Sequence, residues 1–141
     1  MSIVVNTKWT GGMSFDAEVT GHHIIMDIAK ESGGNDTGPR PKAMLLAALA
    51  GCAGMDIVSI LEKMKVTDYA LEISAEAEST TEHPIIYHTI MVSFLFTGTD
   101  LPPEKLRKAV NLSTERYCGV NAMLNKASNI IPKIYINGTE V

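Results

Sequence analysis

Two cysteines, three arginines and no cluster of basic residues are what this 141-residue chain offers where many functions need more. Two cysteines cannot make a disulfide framework, and a chain of this length buries enough surface to need no such staple. Twelve Lys plus Arg against sixteen Asp plus Glu, with the basic residues scattered singly, leave no patch for a phosphate backbone, so nucleic-acid binding is not expected. Metal and phosphate motifs are missing too: there is no CxxC, no HExxH and no glycine-rich loop followed by Lys-Ser or Lys-Thr. The N-terminus has neither the basic nor the apolar region of a secretory signal, and the longest uncharged apolar run, Ala43 to Met55, stops at Asp56. A bilayer needs about 20 such residues, so no membrane partner is expected, and a reducing cytoplasm is the expected location.

What is there is globular: 45% hydrophobic and 20% charged residues, enough for one core and one domain spanning 1–141. Residues 1–30 read as a small antiparallel sheet. Ile3 to Trp9 leads through Gly11-Gly12 to Phe15, Ala17 and Val19 in alternation with Asp16 and Glu18, and a second turn at Gly21-His22 leads into Ile24 to Ile28. Lys30 to Gly38, rich in Gly and short polar residues, reads as a mobile connection. Residues 39–65 predict a long central helix, helical in pattern from Lys42 to Lys65, entered through Pro41 and apolar on nearly every face of its first half, hence wrapped by other elements.

Residues 68–97 predict a hairpin with one wet side, Tyr69, Leu71, Ile73, Ala75 and Ala77 opposing Ile86, Ile90, Val92, Phe94 and Phe96 across a Glu82-His83-Pro84 turn. Residues 102–127 predict two helices broken at Cys118-Gly119, and 130–136 a last strand. The fold class is therefore α+β, since strands and helices do not alternate as a doubly wound sheet requires.

Few side chains offer chemistry. His22-His23 falls at a turn, where neighbouring side chains diverge and chelate poorly. His88 occupies the apolar register between Ile86 and Ile90, as a hydrogen-bonded core histidine or a pocket residue. Cys52 lies in the small-residue stretch Ala47-Ala48-Leu49-Ala50-Gly51-Cys52-Ala53-Gly54, either a packed small hydrophobe or a sulfur that a ligand can approach, with Asp56 one turn on disfavouring a thiolate. Cys118 follows Arg116-Tyr117 near a helix start, where a cation and the helix dipole lower a thiol pKa; electrostatics alone selects it as the more acidic thiol.

The segment Gly38-Pro39-Arg40-Pro41-Lys42-Ala43 through Gly51-Cys52-Ala53-Gly54-Met55-Asp56-Ile57-Val58 resembles the first cysteine motif of the OsmC/Ohr family of organic-hydroperoxide-resistance proteins. Arg116-Tyr117-Cys118-Gly119-Val120-Asn121-Ala122-Met123-Leu124 resembles the second. The resemblance implies an OsmC-like fold, antiparallel sheets wrapped around a long central helix, in an intertwined homodimer. It implies a thiol-dependent peroxidase of oxidative stress defence: Cys52 attacks an organic hydroperoxide and becomes a sulfenic acid, Cys118 condenses with it to a disulfide, and an external dithiol resets the pair. No cofactor and no metal are implied. The chain departs from the family pattern at two places. The early loop Gly11-Gly12-Met13-Ser14 holds no activating arginine, and the position of the family's supporting glutamate falls on Lys42 or Ala43. Arg40 or Lys42 are the candidates to supply positive charge. The alternative reading is a binding or redox-sensing protein on the same scaffold. A thioesterase-like hotdog fold also wraps a helix in a sheet, but the second helix followed by Cys118 argues against it. The Cys52–Cys118 sulfur separation and any cation beside Cys52 discriminate between these readings.

Overall fold

A computed structural model describes all 141 residues, as two compact units, Met1–Leu45 and Leu46–Val141. The first unit is a three-stranded antiparallel sheet, β1 (Asn6–Gly11), β2 (Ser14–Val19) and β3 (His22–Met26), in the order β1-β2-β3. The alternation of Phe15, Ala17 and Val19 sets its register, Ala17 pairing with Thr7 and Ile24. Ile3 to Val5 precede the strand that the sequence starts at Ile3. Only Ala17 among its apolar residues is buried, and Trp9 stays 66% exposed.

The Gly-rich stretch after β3 is ordered, which corrects the expectation of a mobile connection. Asp27, 1% exposed, gathers it: its carboxylate accepts hydrogen bonds from the amides of Ile28 (2.8 Å), Asn35 (3.2 Å) and Thr37 (3.1 Å) and from the Thr37 hydroxyl (2.7 Å). These donors, the Thr37 hydroxyl foremost, hold the Asp27 carboxyl down at about 2. Gly34 is needed there, because a Cβ would lie 2.2 Å from the Ile28 carbonyl oxygen.

The boundary between the units falls in the first turns of helix α1 (Pro41–Lys63). α1 is shorter than 39–65 because Lys65 turns to φ 60 and the Val66 amide bonds back to the Leu61 carbonyl at 2.9 Å, closing the C-terminus. Within the second unit, Leu49, Ala53, Ile57 and Leu61 form a buried stripe one residue per turn. They pack in a core with Ile90, Val92, Phe94 and Phe96 of the sheet and Leu106, Ala109 and Val110 of helix α2 (Pro103–Leu112). By length and composition α1 could cross a membrane, and within one chain only 22% of its apolar window is buried, so the sheet covers one stripe and does not wrap the helix as its sequence suggests.

The hairpin is β4 (Tyr69–Ser79) and β5 (Tyr87–Gly98), paired Leu71 to Phe96 and Ala77 to Ile90. Glu72, Ser74, Glu76 and Glu78 lie on its wet side, as the period of two requires. His88 stands at the end of the core face but is exposed, its Nδ1 2.8 Å from the Thr89 hydroxyl, so it is neither a core nor a pocket histidine. β6 (Asn129–Ile136) adds to β5 in parallel, Ile90 opposite Ile130, and β7 (Thr139–Glu140) closes the order β4-β5-β6-β7. The α+β class and OsmC-like fold hold, but the second sheet is mixed and not purely antiparallel. The helical segment between β5 and β6 is long enough for the crossover that a parallel pair demands.

Candidate functional site

Cys52 and Asp56 are four residues apart on α1, so both project from one side of the helix one turn apart. Gly54 between them lets the helix approach the sheet: a Cβ there would meet Ile73 Cδ1 at 3.0 Å. The opposing residue comes from the break after α2. A π-helical turn, Ser113–Tyr117, closes with the Cys118 amide on the Ser113 carbonyl at 2.8 Å. Cys118 then leaves the helical region (φ −74, ψ 103) and caps helix α3 (Gly119–Leu124), its Sγ accepting from the Asn121 amide at 3.3 Å.

The result is a cluster in which both sulfurs and one Asp56 carboxylate oxygen all lie within 4.8 Å of one another. Cys118 is buried, while Cys52 and Asp56 are half-buried. Ser113, fully buried, ties the two sides together, its Oγ 3.3 Å from both the Ala53 carbonyl and Asp56 Oδ2. Rotation of the two cysteine side chains has to bring the sulfurs to about 2.05 Å to form a disulfide.

Electrostatics corrects the expectation that the helix start and Arg116 acidify the Cys118 thiol. Burial pushes it up to about 11; the Asn121 amide acts in the opposite sense, and the neighbouring Cys52 and Asp56 raise it further. The dipole of a six-residue helix does not offset desolvation. Each of the three arginines already has a partner outside the cluster. Arg40 is ion-paired with Asp36 at 2.5 Å, Arg107 with Glu104, and Arg116 lies over the Tyr117 ring at 5.6 Å. Sequence reasoning missed Ser113 and Asn121, which carry no motif of their own, and treated Asp56 only as an electrostatic nuisance. The Cys52-to-Asp56 spacing was the available signal.

Two grooves run beside α1, and the second of them reaches the cluster at Asp56. One, of about 660 Å³, runs along α1 and β4 past Gly51, Gly54, Met55, Val58 and Ile73; the other, of about 470 Å³, is lined by Asp56, Ser59, Ile60, Lys63, Leu112 and Tyr117. The first is mainly apolar.

A long helix laid on a mixed sheet, with a helix thiol facing a second thiol from a π-turn, defines a paired-cysteine α+β protein. Comparisons sharpen this class. The family described as OsmC-like protein matches residues 33–133, and the chain belongs to that family. Protein YhfA of Escherichia coli strain K12 is 39% identical over 124 residues, covering 87% of this chain and 90% of that protein. Among solved structures, a hypothetical protein from Aquifex aeolicus VF5 superposes with a TM-score of 0.85 at 25% identity over 97% of both chains. The organic hydroperoxide resistance protein OhrB of Bacillus subtilis shares the fold, with a TM-score of 0.64 at 17% identity, covering 97% of this chain and 98% of that one.

Proposed function

We propose that the protein is a thiol-dependent peroxidase that reduces organic hydroperoxides in oxidative stress defence. One observation carries this reading: two thiols from distant parts of the chain converge within 4.8 Å, one half-buried and one buried. The accessible Cys52 is the attacking group. Its thiolate takes the terminal oxygen of the hydroperoxide, releasing an alcohol and becoming a sulfenic acid. The Cys118 thiol then displaces water from that sulfenic acid, forming the Cys52–Cys118 disulfide, and an external dithiol is oxidised as it returns both thiols. Burial suits Cys118 to this second step, since a protonated, shielded thiol is spared direct oxidation. The family membership and the name of the fold's OhrB relative support the substrate class.

The working form is a homodimer. Met55 is 77% exposed and Val58 48% on the open side of α1, and Ile3, Val4 and Trp9 are exposed around the first sheet, apolar surface that a second copy would cover. The reducing cytoplasm keeps the thiols available between turnovers.

Cumene hydroperoxide, with free thiols counted and sulfenic acid trapped by dimedone, tests the reading. Both thiols disappear together in the wild type, Cys118→Ser stops at a trapped sulfenic acid, and Cys52→Ser does not react. Survival of both wild-type thiols in excess peroxide would falsify it.

The engagement of Arg40 with Asp36 and Arg107 with Glu104 favours a second reading, redox sensing without efficient turnover. Its signature is a single stoichiometric oxidation that dithiol reverses, with no sustained peroxide consumption.

A further inference from the structure

Asp56 is out of place in a site built only to make a thiolate, because its negative charge opposes one. It forms no ion pair with any Lys, Arg or His; its recorded partner is the Ser113 hydroxyl. Three potential anions thus converge on one point with no salt bridge to any of them, Lys63 being a cation that shares the groove wall with Asp56 without pairing to it. That arrangement suits a divalent cation.

We propose that the reduced protein binds a thiophilic divalent metal, Zn²⁺ by chemistry, through Cys52 Sγ, Asp56 carboxylate and Cys118 Sγ. Two sulfurs and a carboxylate oxygen match the ligand preferences of zinc, and three protein donors leave the fourth tetrahedral position for water or another ligand. Zn–S bonds of about 2.3 Å in a tetrahedron put two sulfurs about 3.8 Å apart. The donors, already within 4.8 Å of one another, need to close by at most about 1.3 Å. Supporting groups are in place: the Ser113 hydroxyl donates to Asp56, and the Asn121 amide to Cys118 Sγ. The absence of a chelating motif in the sequence has a plain cause, since two donors lie one helical turn apart and the third arrives from the π-turn.

Binding is redox-neutral. Two thiols lose their protons to solvent, two Zn–S bonds and one Zn–O bond form, and two protons are released per metal. Metal and disulfide exclude each other, because the disulfide uses both sulfurs.

Co²⁺ and Zn²⁺ titrations of the fully reduced wild type test the site without any peroxide. Failure of peroxide turnover therefore leaves the metal site standing, and failure of the metal site leaves the peroxidase reading standing. Co²⁺ is expected to give thiolate-to-metal charge transfer and visible bands of tetrahedral intensity at one metal per chain, lost on adding Zn²⁺. Equimolar Zn²⁺ is expected to slow iodoacetamide modification of Cys52 and Cys118 together. Asp56→Asn is expected to weaken Zn²⁺ binding at least about 10-fold, since even supporting residues carry that much. Absence of charge transfer in the wild type, protection of only one thiol, or unchanged affinity in a folded Asp56→Asn variant overturns the proposal.

Discussion

Ser113 Oγ stands 3.3 Å from Asp56 Oδ2 and 3.3 Å from the Ala53 carbonyl, binding the π-helical turn to the central helix at the level of the two cysteines. One hydroxyl proton serves two acceptors, so the bond is shared. The same turn sets where Cys118 begins, because the Cys118 amide bonds to the Ser113 carbonyl. Position of the second thiol is thus coupled to a side chain in the first thiol's helix.

Replacing Ser113 by Ala removes this tie from a fully buried position. The lost hydrogen bond costs about 1–2 kcal/mol, because one acceptor is a carboxylate and the Ala53 carbonyl keeps its helical partner. Urea unfolding is expected to show that loss with an unchanged m-value, and disulfide formation from the two thiols is expected to slow as the turn loosens. Unchanged stability and an unchanged rate of disulfide formation would remove Ser113 from any positioning role.

Cys118 predicts an alkaline loss of stability. Its thiol holds its proton to about 11 in the folded chain, against an ordinary value of 9.0. Below pH 9 both folded and unfolded chains keep the proton, and the contribution is fully present. Between pH 9 and 11 the unfolded chain releases a proton that the folded chain retains, so stability falls as pH rises and levels off beyond 11. Thermal unfolding across this window, repeated with Cys118→Ala, is expected to show a smaller decline in the variant. An equal decline in both proteins would assign the effect to other groups.

Legibility of the sequence followed the range of the interactions. β4 and β5 were readable because alternation of Leu71, Ile73 and Ala75 with Glu72, Ser74 and Glu76 is local, and the burial pattern repeats it residue by residue. The parallel addition of β6 to β5 was not, because nothing local to Ile130 or Ile134 says which neighbour it meets. The two cysteines stood out by motif, yet the acidity of Cys118 was misjudged: Arg116 is two residues away in sequence but lies over the Tyr117 ring, and burial outweighs the helix start. Nothing in the sequence marks Asp27, which lies within the expected strand Ile24 to Ile28. Only the folded backbone aims four donors at it.

That convergence gives Asp27 a predictable acid response. Its carboxyl is held at about 2, below the ordinary 3.8, by the Thr37 hydroxyl and the amides of Ile28, Thr37 and Asn35. The stabilisation is present above pH 3.8 and is lost as pH falls through about 2, when the carboxylate is protonated and can no longer accept from all four donors. Hydrogen exchange at neutral pH is expected to show protected amides at Asn35 and Thr37, and Asp27→Ala is expected to abolish that protection. Protection that survives the substitution would mean the segment is held by its backbone bonds alone.

The open side of α1 yields the last prediction. Gly51 has no heavy atom within 4 Å of where a Cβ would sit, Met55 is 77% exposed, and Val58 lines the apolar groove beside them. On the homodimer reading this face is covered by a second copy, and a charge introduced there is stripped of water without a partner. The cost is on the order of 3 kcal/mol, or roughly 100-fold in the dimer dissociation constant. Val58→Glu should therefore convert a sedimenting dimer to monomer at micromolar concentration, while the Leu49, Ile57 and Leu61 core on the opposite stripe keeps each chain folded. A wild type that sediments as a monomer at all concentrations, or a Val58→Glu variant that remains dimeric, would place the contact elsewhere and leave α1's apolar face to another occupant.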